Sequence, residues 1–222
     1  MKSKLYGIGV GPGDKELLTV KAVRVIENSD VVIAPSALEG GESIALETAK
    51  EYIKEGTEVV IKHFPMGKKN RVEKAKEAYE FIEEKLREGK NVSFLTIGDP
   101  YVYSTYIHML KHMEERGFHV ETVPGITSFC AAASLVDRTL VVGDNPLMIL
   151  PATRVKDIKD EKYVVIMKVY KHEEKVVDFL EEKGFDYIYV SRAGREGQLI
   201  LTDKDEIKKA RDYMSLILAS RE

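Results

Sequence analysis

Glycines recur at every second position at the start of the chain, Gly7, Gly9, Gly11 and Gly13, and the run ends on Asp14. A loop of this kind can bring bare backbone up to a ligand, because glycine has no Cβ to hold it away. Pro12 fixes φ within the same loop and removes one N–H donor. The usual phosphate-binding patterns do not fit. The fingerprint G-x-G-x-x-G would need glycine at Asp14 counted from Gly9, or at Pro12 counted from Gly7. The P-loop needs Gly-Lys followed by Ser or Thr, and no glycine here is followed that way. The second apolar run ends Ile33-Ala34-Pro35, without the acid that dinucleotide folds place there. A tight strand-to-helix turn with no ligand, capped by Asp14, is the alternative reading of the loop.

Other chemistry-bearing residues are sparse. His108 and His112 have i,i+4 spacing, which suits a metal, but they lack the Glu of H-E-x-x-H and a third ligand nearby. They read as surface histidines. His63, His119 and His172 fall on separate elements, so the cluster that a metal chelatase requires does not assemble, and no protein-bound metal is expected. Cys130 is the single cysteine, which excludes an internal disulfide and a secreted disulfide scaffold.

The elements that must position these residues alternate. Leu5–Val10, Val31–Ala34, Glu58–Ile61, Val92–Ile97 and His119–Val123 read as strands, the second stopped by Pro35. Between them Leu17–Ile26, Glu42–Ile53, Asn70–Glu88 and Val102–Glu115 read as helices. The third helix shows the clearest stripe, Val72, Ala75, Tyr79, Ile82 and Leu86, with Asn70 and Glu73 as a capping box. Strand–helix alternation means a parallel α/β sheet, whose ligands sit beyond the carboxyl ends of the strands. Those ends are Gly9–Asp14, Ala34–Ala37, Phe64–Gly67, Gly98–Tyr103 and Pro124–Ser128. After Pro124 the character changes. A small-residue helix spans Ile126–Leu135, and strands are expected at Leu147–Leu150, Tyr163–Met167, Tyr187–Val190 and Leu199–Leu201, with a helix over Glu173–Glu182. Tyr213–Ala219 fits either a helix or a strand. We therefore expect two α/β domains, residues 1–122 with a parallel sheet and residues 123–222 with a mixed one.

The 222 residues carry 34 basic and 37 acidic side chains, a net charge of -3. That balance argues against a nucleic-acid-binding protein, which normally shows a basic excess. No apolar run reaches the ~18 residues of a membrane span, and Met1–Tyr6 lacks signal-peptide character, so cytoplasm is the expected location. Heavy use of Lys and Glu without Trp fits a heat-adapted source.

The segment from Gly9 to Thr19, Gly-Val-Gly-Pro-Gly-Asp-Lys-Glu-Leu-Leu-Thr, resembles the opening signature of the tetrapyrrole methylases. These are methyltransferases of porphyrin and cobalamin synthesis that use S-adenosyl-L-methionine (SAM). The resemblance continues at Gly98-Asp99-Pro100-Tyr101-Val102-Tyr103-Ser104-Thr105, at Val123-Pro124-Gly125-Ile126-Thr127-Ser128-Phe129 and, more faintly, at Val165-Ile166-Met167-Lys168. The pieces stand in family order. Ala34-Pro35, the Asp-Pro-Tyr-Val-Tyr-Ser-Thr-Tyr loop and Asp144-Asn145-Pro146-Leu147 make the chain most similar to the branch that methylates C20 of precorrin-2 or cobalt-factor II.

The resemblance implies a homodimer that binds SAM in a cleft between two domains. By motif, Pro12, Ile97, Gly98, Asp99, Val102, Thr127, Ser128, Met167 and Ala193 would contact SAM, Asp99 through the ribose hydroxyls or amino group. Thr127 and Ser128 also begin a helix, where capping is the plainer role. No general base is implied. Tyr101, Tyr103 and Tyr106 are candidates, with packing on a shared helix face as the alternative for Tyr103 and Tyr106. A substrate rich in carboxylates calls for basic groups. Lys68, Lys69, Arg71, Lys168, Lys171, Arg192 and Arg195 are available, and Arg192 and Arg195, flanking Ala193-Gly194, are favoured together with Tyr103. Methylation of a different corrinoid carbon, or non-catalytic binding of a tetrapyrrole or nucleotide, are the alternatives.

Overall fold

A computed structural model describes residues 3–36, 41–64 and 71–222, with the side chains of 71–75 outside that description. The chain divides into two compact units, Met1–Thr127 and Ser128–Glu222. The fold is α/β, with a parallel sheet in the first unit and a mixed sheet in the second. Among the described residues no helix is long and apolar enough to cross a membrane.

Five strands build the first sheet: β1 (Leu5–Gly9), β2 (Val31–Ser36), β3 (Glu58–His63), β4 (Val92–Thr96) and β5 (Val120–Val123). All pairings are parallel, in the order β3-β2-β4-β1-β5. Both faces are covered, which is why the central strands are mostly apolar and β4 is buried along its whole length. Helices α1 (Val20–Ile26) and α2 (Ile44–Ala49) pack Ala22, Ile26, Ala45 and Ala49 against Ile8, Val10, Val32 and Leu95. Helices α3 (Arg71–Arg87) and α4 (Tyr106–Glu115) pack Ile82, Leu86, Tyr106 and Met109 against Leu5, Ile33 and Phe94 on the other face. The expected cap by Asn70 and Glu73, the stripe residues Val72 and Ala75, and the basic candidates Lys68, Lys69 and Arg71 lie outside the described residues or side chains.

Local physics moves several boundaries. The expected helix over Leu17–Ile26 is two pieces. Asp14 accepts from the Glu16 N–H at 2.9 Å and starts a short 3₁₀ turn, Lys15–Leu17. Thr19 then takes extended backbone and caps α1, accepting from the Ala22 N–H at 3.1 Å. Pro35 does not stop β2, which runs on to Ser36. Pairing with β4 ends at Ile33, and the Ser36 carbonyl accepts from the Phe64 N–H at 2.9 Å on the β3 side. The donor that proline lacks would therefore face the side where the ladder has already ended. Helix α4 starts four residues later than expected, because residues 97–105 form the loop described below.

The second unit opens with α5 (Ser128–Leu135), and its sheet has the order β6-β7-β10-β8-β9. The strands are β6 (Leu147–Pro151), β7 (Tyr163–Met167), β8 (Asp186–Ser191), β9 (Leu199–Leu201) and β10 (Ser215–Ser220). The ambiguous segment is thus a central strand, antiparallel to both β7 and β8. Residues 215–219 are buried to the last, as a strand covered on both faces requires. A separate helix, α7 (Lys204–Lys209), precedes β10 and buries Ile207. Helix α6 (Glu173–Glu182) lays Val176, Val177 and Leu180 into the core against Ile166, Tyr189 and Ile217.

Candidate functional site

The strand order decides what can meet. Strands β4, β1 and β5 are adjacent and parallel, so the loops after them share one edge of the sheet. These loops carry the three motifs singled out in the sequence. They are joined backbone to backbone. Gly11 and Gly98 form an isolated antiparallel bridge, with the Gly98 N–H donating to the Gly11 carbonyl at 2.6 Å and the reverse bond at 3.3 Å. A Cβ on Gly9 would lie 2.5 Å from the Gly125 nitrogen and 2.7 Å from the Gly98 carbonyl oxygen. A Cβ on Gly125 would lie 2.7 Å from the Gly9 carbonyl carbon and closer still to the Gly98 oxygen. Glycine is thus required here by close approach of three backbones. Gly7 has a different reason: a Cβ there would sit inside the Tyr106 ring.

Asp99 staples the same cluster. Its Oδ1 accepts from the Tyr101 N–H at 2.8 Å and its Oδ2 from the Gly125 N–H at 3.0 Å. The sequence suggested Asp99 as a direct ligand partner; each of its oxygens already holds a loop N–H. Gly98 has φ +71, and the space where its Cβ would stand is open. Pro12 is buried, while Ile97 and Val102 are half-buried. The Thr127 Oγ1 is buried and has no hydrogen-bond partner among the described residues, so it caps no helix there. The Thr96 Oγ1, at the carboxyl end of β4, is in the same state. Sequence reasoning missed Thr96; its signal was one hydroxyl closing the otherwise apolar ending Phe94-Leu95.

The tyrosines separate. Tyr103 lies before α4 in left-handed backbone, φ 50, so it shares no helix face with Tyr106. Such a conformation is costly for a non-glycine residue and collects at functional sites. Tyr106 is fully buried, and its hydroxyl lies 2.7 Å from the Thr122 Oγ1. Burial pushes its pKa up to about 12, so it is no base at neutral pH. Tyr101 is exposed and donates to the same Thr122 oxygen at 3.0 Å, tying the loop to β5. His112 is not a plain surface histidine. It is 3.0 Å from the buried Glu83 carboxylate and stacks on Tyr79, so it joins α4 to α3. His108 is exposed.

In the second unit, β6, β7 and β8 end on one edge, where β10 begins. Ser128 is the first residue of α5. Met167 closes β7 half-buried, paired with Leu216, and Ala193 is buried two residues past β8. Lys168, Lys171 and Arg192 all take left-handed backbone, with φ of 56, 66 and 50. The Arg192 Nε donates to the Asp212 Oδ2 at 2.6 Å. Arg195 is half-buried, and burial together with the neighbouring Arg192 holds its pKa below the usual guanidinium value.

Residues 4–207 match the model of the Tetrapyrrole (Corrin/Porphyrin) Methylases. The chain belongs to this family. It is 39% identical to a probable cobalt-precorrin-2 C(20)-methyltransferase of Methanocaldococcus jannaschii, over 98% of this chain and 96% of that one. It is 30% identical to a precorrin-2 C(20)-methyltransferase of a Sinorhizobium species, over 97% and 94% of the two chains. A uroporphyrin-III C-methyltransferase of Thermus thermophilus, solved with S-adenyl homocysteine, shares the fold with a TM-score of 0.74 at 20% identity, over 97% of both chains.

Proposed function

We propose that this protein transfers a methyl group from SAM to C20 of cobalt-factor II, or of its reduced form cobalt-precorrin-2, in cobalamin biosynthesis. One observation carries the reading: full-length similarity at 39% identity to a protein named for that reaction on the cobalt form. Cobalt here belongs to the substrate. A homodimer in the cytoplasm completes the proposal.

The first unit's carboxyl edge fits a polar ligand such as SAM. Two buried hydroxyls, Thr96 Oγ1 and Thr127 Oγ1, lack partners, and buried polar groups are normally paired. Space stands open at Gly98. Pro12, Ile97, Gly98, Val102 and Thr127 are proposed as contacts from this unit. Asp99 is proposed as the group that holds their loops in register. Ser128, Met167 and Ala193 are proposed as contacts from the second unit, and Tyr103, Arg192 and Arg195 as residues on the substrate side.

SAM supplies a methyl already activated by its sulfonium leaving group. The electron-rich C20 carbon needs alignment and exclusion of water more than it needs activation. The chain's contribution is therefore a rigid set of loops. The clasp of Gly9, Gly98 and Gly125 and the Asp99 staple supply that rigidity. Tyr106, buried in the core with its pKa pushed up to about 12, stays protonated and moves no proton.

The test is a paired anaerobic assay with SAM and either cobalt-factor II or metal-free precorrin-2. Mass spectrometry scores the gain of one methyl, and NMR places it. Methylation at C20, faster on the cobalt form, is the expected result. A methyl at another carbon, or on neither tetrapyrrole, refutes the reading.

A further inference from the structure

We infer that Arg195 is the group that takes a carboxylate of the tetrapyrrole, and that Arg192 is the scaffold that presents it. The inference rests on the proposed function and divides two arginines that the sequence could only pair.

Arginine side chains in this protein are generally satisfied. Among the described side chains, only the exposed Arg24 and Arg195 have neither a carboxylate nor a carbonyl partner. Arg195 is the one that is half-buried. A guanidinium that gives up water without gaining an anion is placed for an anion from outside.

The surroundings do not offer one. Asp212 is the nearby acid, but it is spent on Arg192. Its Oδ2 holds the Arg192 Nε at 2.6 Å and its Oδ1 accepts from the Met214 N–H at 2.8 Å. The Arg192 N–H donates to the Met214 carbonyl at 2.9 Å, so Arg192 is fixed at both ends to the approach of β10. Held this way in left-handed backbone, Arg192 starts a tight turn. Its carbonyl accepts from the Arg195 N–H at 2.9 Å, and the Arg195 carbonyl accepts from the Gln198 N–H at 3.1 Å. Gln198 closes the turn by accepting from the Gly194 N–H at 2.8 Å. The turn follows β8 at the sheet edge where ligands of α/β units bind. Arg195 offers a planar fork of donors, which matches a carboxylate better than a lysine would.

The test compares Arg195→Gln, Arg195→Lys and Arg192→Gln in the full-length protein. The readouts are cobalt-factor II kinetics, direct binding of uroporphyrin as a polycarboxylate probe, SAM binding and thermal midpoint. For Arg195→Gln we expect a KM for cobalt-factor II and a Kd for uroporphyrin raised about ten-fold. The kcat, the SAM affinity and the thermal midpoint should stay close to wild type. The rise of KM with salt should flatten, since one charge pair is gone. Arg195→Lys should recover part of the affinity. Arg192→Gln should lower the thermal midpoint, which Arg195→Gln does not. Unchanged uroporphyrin affinity in Arg195→Gln, or an equal loss of SAM affinity, overturns the assignment. If wild type methylates neither tetrapyrrole, the proposed function fails on its own, and the uroporphyrin arm still decides for or against Arg195.

Discussion

At the edge of the first sheet backbone meets backbone, through Gly9, Gly11, Gly98 and Gly125, with one carboxylate pinning two loop N–H groups. At the edge of the second sheet side chains do the work: Lys168, Lys171 and Arg192 sit in left-handed backbone, and an Asp212–Arg192 pair holds a turn open for Arg195. The first construction tolerates no Cβ at Gly9 or Gly125. The second spends backbone strain to aim long charged groups. The two suit different ligands. A small donor of fixed shape needs bare backbone at close range, whereas a broad anionic substrate needs reach and charge.

The contrast breaks most easily at Gly125. Gly125→Ala would drive a Cβ into the Gly9 and Gly98 backbones, and no second substitution can move backbone aside. We expect a loss of about 3 kcal/mol in urea unfolding and loss of methyl transfer. Gly7→Ala meets only the Tyr106 ring, so pairing it with Tyr106→Leu should restore part of the stability that Gly7→Ala alone removes. If Gly125→Ala is as stable as wild type, the clasp is not what holds these loops.

Asp99→Asn comes next. An amide can accept from one of the two N–H groups, but its NH₂ then faces the other, on Gly125 or Tyr101. The cost should be about 2 kcal/mol. SAM affinity should fall because the loops lose register. A variant of undiminished stability that nevertheless loses SAM binding would return Asp99 to direct contact with the donor.

The difference between the two edges also explains what could be read from sequence. The first edge was legible because its constraint falls on backbone and so forces residue types: alternating glycines, Gly-Asp-Pro, Pro-Gly. Strand order is not legible there; the structure supplies it, and β4-β1-β5 adjacency brings those loops together. The motif marks the loop that carries Asp99, but not that its two oxygens accept from the Tyr101 and Gly125 N–H groups, because a carboxylate's partners are set by geometry that no motif prints. The expected helix over Val102–Glu115 begins too early by residues 102–105: Tyr103 and Tyr106 keep helical spacing, but the left-handed backbone at Gly98 and Tyr103 and the Asp99 staple hold this stretch as loop. Thr96 was invisible: one hydroxyl at a strand end looks like any other until its burial and lack of partners are seen. At the second edge the sequence offered two arginines and no means to divide them, because the dividing residue, Asp212, lies 20 positions from Arg192.

A third prediction concerns the helices that cover the first sheet. Burial would raise the Glu83 pKa, but His112, Arg87 and Arg116 outweigh it, and the net shift is downward from 4.5. A folded value below the unfolded one means a contribution that is whole above the unfolded value and is lost as pH falls through the folded one. At pH 7 Glu83→Gln should therefore cost about 1 kcal/mol, and its gap to wild type should close as urea midpoints are followed toward pH 3. A gap that stays constant would mean that packing, and not the carboxylate's charge, joins α3 to α4.

The smallest effect is the most selective. Thr127→Val removes a hydroxyl that is buried and makes no hydrogen bond among the described residues. Without ligand the variant loses nothing and sheds an unsatisfied polar group, so its thermal midpoint should hold or rise, by the equivalent of about 1 kcal/mol. With SAM the sign reverses. If the hydroxyl pairs with the donor, its loss should weaken SAM binding about five-fold and shrink the SAM-induced rise in thermal midpoint accordingly. Thr96→Val asks the same of β4. A loss of ligand affinity in one variant and not the other would show which strand end carries the polar contact. Destabilisation of both without ligand would instead mean that these hydroxyls serve the fold, leaving bare glycine backbone as the first edge's whole contribution to binding.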